Sequence, residues 1–95
     1  MPKPGFVYIM TNKSNRVLYT GVSTDLYRRV MEHQHHAVPG FTSRYNCTKL
    51  AYFECFGEIM LAVAREKQIK NYSRAHKIRL IVAKNPSWRD LSEDF

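Results

Sequence analysis

The chain has 95 residues, 44% of them hydrophobic and 13% aromatic, with 15 Lys and Arg against 8 Asp and Glu for a formal net charge of +7. That length holds one hydrophobic core and not two, so a single domain over residues 1–95 is expected, and the apolar content excludes a disordered basic tail. A positive field on a small domain suits a polyanionic partner, nucleic acid before an anionic membrane surface.

The opening MPKPGFVYIM has neither an apolar run of signal-peptide length nor a small-residue cleavage site, and no segment has the length to cross a bilayer. A cytoplasmic location without a membrane partner is expected. Cys47 and Cys55 stand eight positions apart within or beside one expected strand, where a mutual disulfide is geometrically awkward, so both are read as buried free thiols.

FVYIMT (Phe6 to Thr11) and VLYTGV (Val17 to Val22) are β-branched and aromatic runs separated by NKSNR, a turn-forming stretch. They predict a hairpin. A two-residue loop at Lys13 and Ser14 pairs Asn12 with Asn15 and, counting outward, sets Tyr8 directly opposite Tyr19.

Ser23 or Thr24 is placed to cap a helix over TDLYRRVMEHQ, with Asp25 in its first turn. At 100° per residue, Leu26, Tyr27, Val30 and Met31 form an apolar arc. Arg28 and Glu32 lie opposite it as a solvent-facing i,i+4 pair, while Arg29 and His33 stack along its border.

HHAVPGFTSRYN (35–46) reads as a loop, KLAYFECF (Lys49 to Phe56) as a third strand, and Glu58 to Tyr72 as a second helix. After Ser73, RAHKIRLIVAK predicts a third helix with Ala75, Ile78 and Val82 as its inner stripe, stopped by Asn85-Pro86. Trp88 and Leu91 are expected to fold back over the core, leaving SEDF as an acidic end. The fold class is α+β: a three-stranded antiparallel sheet flanked by helices in the order β-β-α-β-α-α.

Glu66 falls among Ile59, Ala62, Val63 and Ile69, where a carboxylate is costly unless its charge is compensated. Either Lys70 or a nearby arginine pairs with it, or it holds a hard divalent cation. The HQHH stretch (His33 to His36) matches no structural zinc spacing. Two hairpin tyrosines, an arginine and a histidine on the next helix, and a carboxylate on a later one supply what phosphodiester cleavage needs: a base for water, a cation, and positive charge on the phosphoryl oxygens.

These residues resemble a GIY-YIG nuclease domain over essentially the whole chain. The two half-motifs are Phe6-Val7-Tyr8 and Tyr19-Thr20-Gly21, eleven positions apart from tyrosine to tyrosine. Leu26-x-x-Arg29-Val30-x-x-His33 resembles the family's arginine helix, and Ala64 to Lys70 the segment with its metal-binding glutamate. Phe6 stands in place of the name-giving glycine, with Gly5 adjacent; Thr20 replaces the middle isoleucine; Val22 stands where some relatives carry a lysine.

The resemblance implies a metal-dependent DNA endonuclease leaving a 5′-phosphate and a 3′-hydroxyl. Tyr8 and Tyr19 would sit at the catalytic centre, one helping to deprotonate water. Arg29 would hold the scissile phosphate, His33 would assist proton transfer or phosphate positioning, and Glu66 would bind a single Mg²⁺ or Mn²⁺. Gly21 would let the backbone turn closely where strand hands over to helix. For the late asparagine of several members, Asn85 and Asn71 are both placed, Asn85 being preferred.

The fit is closest to a small stand-alone branch that lacks appended DNA-binding domains, and the chain is too short to add one. Selectivity would then come from a protein partner or from the basic loop. In that loop Arg44 and Lys49 are candidates for phosphate contact. Phe41 and Tyr45 are candidates for stacking on exposed bases of single-stranded or branched DNA, or else are core anchors. A nuclease of this type would serve repair, recombination or defence against incoming DNA. Two rival readings are a non-catalytic nucleic-acid-binding module and a scaffold that offers its basic face to an acidic protein.

Overall fold

Strands β1 (Gly5–Thr11), β2 (Leu18–Ser23) and β3 (Lys49–Phe56) form one antiparallel sheet in the order β2-β1-β3 in the structure, a computed structural model that describes residues 3–95. Because β1 is central and both its faces are covered, it is buried at almost every position and does not alternate. Val7 and Ile9 face one way, packing with Tyr52, Ala62, Ile69 and Ile81; Tyr8 and Met10 face the other, with Leu26, Val30, Cys47 and Leu50. Helix α1 (Leu26–Gln34) therefore covers the tyrosine face, while α3 (Ile59–Lys70) and α4 (Arg74–Lys84) cover the opposite one.

The β1–β2 connection differs from the expected two-residue loop. The ladder ends at Thr11 opposite Leu18, and the Asn12 carboxamide oxygen accepts from the backbone N–H groups of Arg16 (3.0 Å) and Val17 (3.2 Å) while Asn15 adopts φ 61°. This Asn-centred turn shifts the register by two residues, so Tyr8 lies opposite Gly21 and Tyr19 opposite Met10. Both tyrosines keep the same face, as diagonal neighbours.

Asp25, not Ser23 or Thr24, caps α1: its carboxylate accepts from the Arg28 N–H at 3.0 Å, and the Ser23 hydroxyl instead accepts from the Asp25 N–H. The 35–46 segment is not all loop. Phe41–Arg44 form a short helix, α2, entered through Gly40 at φ 112° and left through Asn46 at φ 54°. Tyr27 leaves the apolar arc of α1 for the surface, where its ring meets that of Phe95. On α4 the buried contact is Ile81, with Val82 exposed, because α4 is rotated about its axis relative to the stripe read from its apolar residues. Cys47 is a buried free thiol, but Cys55 is exposed.

The C-terminal segment folds back as expected. Trp88 packs on the α3–α4 side and Leu91 on the α1 side, and residues Leu91–Asp94 form a 3₁₀ turn. Asp90 accepts from the Leu50 N–H at 3.1 Å, so the tail covers part of the β3 edge, which would otherwise offer unpaired donors.

Candidate active site

Tyr8 projects from the middle of β1, and its ring lies across β2 where Gly21 has no side chain. A Cβ at Gly21 would stand 2.4 Å from the Tyr8 hydroxyl and 2.5 Å from its Cζ. Gly21 is thus required for space and not for a turn: it lies inside β2, and Gly40 is the glycine with positive φ among the described residues. The seat under α1 brings the Tyr8 hydroxyl to 2.9 Å from Nε2 of His33.

His33 occupies the last turn of α1, is 1% exposed, and uses both ring nitrogens. Its Nδ1 lies 2.8 Å from the hydroxyl of Thr42, a buried residue of α2. Thr42 is invisible in the sequence, since a threonine nine positions after a histidine has no local signature. Tyr19 completes the cluster, with its ring centroid 6.3 Å from that of Tyr8 and edge-on to His33 at 5.5 Å.

Electrostatics separates the two hydrogen-bonded partners. Burial, then the adjacent Tyr19, holds the Tyr8 phenol well above its ordinary 10.0; Arg29 opposes this, and the carboxylates of Glu66 and Glu32 add to it. Burial, then the Arg29 guanidinium, pulls His33 below 6.5 against the smaller opposing effect of Glu32. Near neutral pH the pair is therefore a phenol beside a neutral imidazole. Arg29, Glu66 and Tyr19 all act electrostatically on the Tyr8 oxygen; Tyr8, Tyr19 and His33 form the cluster itself, Arg29 stands one turn before His33 on α1, and Glu66 lies on α3 in the opposite layer.

Arg29 is half-exposed and contacts Glu32 at 3.2 Å; Arg28 reaches the same carboxylate at 3.7 Å from a side chain 76% exposed. The adjacent arginines thus share a partner, but Arg29 alone borders the tyrosine cluster. Glu66 arrives from the other layer, on α3, which packs along both β1 and β2. Its side chain is 13% exposed and meets Lys70 through Oε2 at 3.2 Å. Among the described residues no three His, Cys, Asp or Glu side chains converge as an all-protein metal cage. A single carboxylate, with water and phosphate oxygens filling the shell, suits Mg²⁺ or Mn²⁺, and Glu66 fits that donor set.

From Tyr19 an aromatic ladder runs outward. Phe41 stacks on Tyr19 (6.0 Å between centroids, 29° between planes), Tyr45 meets Phe41 at a tilt (4.8 Å, 50°), and the Arg44 guanidinium lies 5.4 Å from the Tyr45 centroid. Phe41 and Tyr45 are 45% and 41% exposed, so they are surface groups and not core anchors. They line an open cleft of about 570 Å³ with Pro39, Gly40, Ser43 and Arg44.

Two other candidates stand apart. Lys49 pairs with Thr11 and by register belongs to the face of Val7 and Ile9, not to the ladder. Asn85 is buried at the end of α4, where its amide donates to the carbonyls of Ala51 (3.1 Å) and Arg89 (2.9 Å) and accepts from the Arg89 N–H. Its hydrogen-bonding capacity is spent on tying α4 to β3 and the C-terminal turn. Thr20, at the position of the motif's middle isoleucine, is buried with its hydroxyl unpartnered.

The family model described as the GIY-YIG catalytic domain matches residues 4–79. The chain belongs to the GIY-YIG family. It is similar to a UPF0213 protein of Haloquadratum walsbyi, 40% identical over 75 residues that span 79% of this chain and 83% of the relative. A UPF0213 protein of Staphylococcus saprophyticus is 33% identical over 76 residues, 80% of this chain and 92% of the relative. The solution NMR structure of a UPF0213 protein from Bacillus halodurans superimposes with a TM-score of 0.58 at 26% identity, covering 92% of each chain. The three-stranded sheet and its flanking helices are therefore the GIY-YIG fold, and Tyr8, Tyr19, Arg29, His33 and Glu66 all lie within the matched span.

Proposed function

We propose that this GIY-YIG chain is a divalent-metal-dependent DNA endonuclease acting on single-stranded or branched DNA. The observation that carries the reading is the 2.9 Å hydrogen bond between Tyr8 and His33, set beneath Tyr19 and beside Arg29. A buried phenol and a neutral imidazole are suited to pass a proton. As water attacks phosphorus, its proton goes to the Tyr8 oxygen while the phenol hydrogen moves to Nε2 of His33. The new P–O bond forms as the P–O3′ bond breaks, leaving a 5′-phosphate and a 3′-oxyanion that takes a proton from solvent to become the 3′-hydroxyl, while His33 returns its extra proton to solvent.

Arg29 exchanges Glu32 for a phosphoryl oxygen and stabilises the charge that grows there. Glu66 would hold Mg²⁺ or Mn²⁺, which when bound supplies Lewis-acid stabilisation of the departing 3′-oxygen. The exposed Phe41 and Tyr45 favour strands with unstacked bases, because duplex bases cannot reach a stacking platform. Arg44 adds phosphate contact beside them.

The test is cleavage of labelled duplex, single-stranded, flapped and four-way-junction DNA with matched RNA, in Mg²⁺ or Mn²⁺, beside Glu66→Ala. The reading expects DNA cuts that vanish with chelator or with Glu66→Ala, strongest on substrates with unpaired bases. Salt-sensitive binding without cutting in either metal would favour the non-catalytic binding module.

A further inference from the structure

His33 is held from both sides, and the second side has no role in the account above. The Tyr8 hydroxyl has Nε2 of His33 as its hydrogen-bond partner among the described residues. A buried phenol O–H needs an acceptor, and a pyridine-type imidazole nitrogen is a better acceptor than a phenol oxygen. If Tyr8 donates to Nε2, the ring proton of neutral His33 must sit on Nδ1, the nitrogen that faces Thr42 at 2.8 Å. Thr42 is 3% exposed, so no bulk water replaces its oxygen.

We propose that Thr42 is a positioning residue: its hydroxyl oxygen accepts the Nδ1–H of His33 and thereby fixes the tautomer that leaves Nε2 open to the Tyr8 proton. Thr42 belongs to α2, whose neighbouring residues Phe41, Arg44 and Tyr45 form the exposed ladder. The segment that would meet the nucleic acid is the same one that orients the proton acceptor. This inference rests on the nuclease reading for its effect on turnover, but the tautomer is a property of the protein alone.

Two measurements separate them. Nitrogen-15 NMR of the imidazoles reads which ring nitrogen of His33 carries hydrogen. The groups that face the ring are Tyr8 and Tyr19 from the sheet and Arg29 and Glu32 from α1, so spectra are taken above the His33 titration. The wild type should show Nδ1 protonated, and Thr42→Val, which keeps the shape but loses the acceptor, should move hydrogen toward Nε2, the form preferred by free imidazole side chains. In cleavage, Thr42→Val should lower kcat about 10-fold with KM nearly unchanged, as loss of a histidine's orienting partner does elsewhere, and Thr42→Ser should restore both the tautomer and the rate.

An Nε2-protonated His33 in the wild type overturns the proposal, as does a Thr42→Val chain with unchanged tautomer and kcat. A rate loss that Thr42→Ser does not restore also overturns it, showing that the methyl packing and not the hydroxyl was required. A chain that cuts no DNA yet shows the Thr42-dependent tautomer supports the hydrogen-bond assignment and overturns the nuclease reading instead.

Discussion

Gly21→Ala is the substitution that should do most damage per atom added. The new Cβ would stand 2.4 Å from the Tyr8 hydroxyl, 2.5 Å from Cζ and 2.9 Å from Cε1, where ordinary contact begins at 3.4 Å. The obstacle is the body of an aromatic ring, so the ring must shift by about 1 Å or β2 must move. Overpacking of this kind costs about 1–3 kcal/mol, and each kcal/mol lowers the Tm of a domain of this size by about 4–8 °C. A displacement of about 1 Å at a reacting group lowers turnover by about 100-fold.

The assays are urea denaturation and single-turnover cleavage, with Gly57→Ala as control, since a Cβ there meets nothing within 4 Å. A double-mutant cycle isolates the contact. In a Tyr8→Ala background Gly21→Ala should cost little stability, giving a coupling of about 1 kcal/mol or more. Equal stability and activity for Gly21→Ala and wild type, or additive losses in the cycle, would refute the claim that Gly21 makes room for Tyr8.

Other outcomes follow from the same geometry. Arg29→Ala should lower cleavage by about 100-fold or more, as removal of a charge-stabilising donor does, while Arg28→Ala stays within about 3-fold; equal losses in a kinetic comparison would contradict the assignment of the two arginines to different faces. Because His33 must be neutral to take a proton, kcat/KM should rise through an acid limb centred below 6.5, with no phenol limb below 10.0, in a full pH profile. Unfolded His33 binds its proton more readily than folded His33, so stability should also begin to fall as pH drops through about 6.5, read from urea midpoints.

On the opposite face, Arg65 grips Glu54 at 3.0 Å, both side chains mostly buried at 23% and 15% exposure. Burial alone would raise the Glu54 pKa, but the hydrogen bonds from Arg65 and Tyr52 hold it lower. Arg65→Met should cost about 2 kcal/mol at neutral pH, discounted for the partial exposure. A group with a depressed folded pKa stabilises above its unfolded value, 4.5 for Glu54, so the difference between wild type and variant should shrink as pH falls below that.

Strand β3 was legible to the residue because an apolar and aromatic run ends at Gly57. The GIY-YIG resemblance rests on residues whose positions in strands and helices follow from local pattern, and the structure clusters Tyr8, Tyr19 and His33, with Arg29 one turn before His33 on α1 and Glu66 on α3. The direct pairing of Tyr8 with Tyr19 failed because the turn is set by side-chain acceptance at Asn12, which a count of loop residues does not register. The α4 stripe failed because Ile78, Leu80, Ile81, Val82 and Ala83 nearly encircle the helix and leave its rotation to packing. Thr42 and the spacing role of Gly21 are long-range facts. Each depends on where another element lies, α1 for the first and β1 for the second.

The most direct measurement is single-turnover cleavage of a 5′-labelled single-stranded oligonucleotide in Mg²⁺ or Mn²⁺ by the wild type, Tyr8→Phe, His33→Ala and the double variant. The account predicts metal-dependent cutting by the wild type, a loss of about 100-fold or more for each single change, and little further loss in the double, because the two residues act as one proton-passing pair. Wild-type activity retained in Tyr8→Phe, or losses that multiply in the double variant, would contradict it.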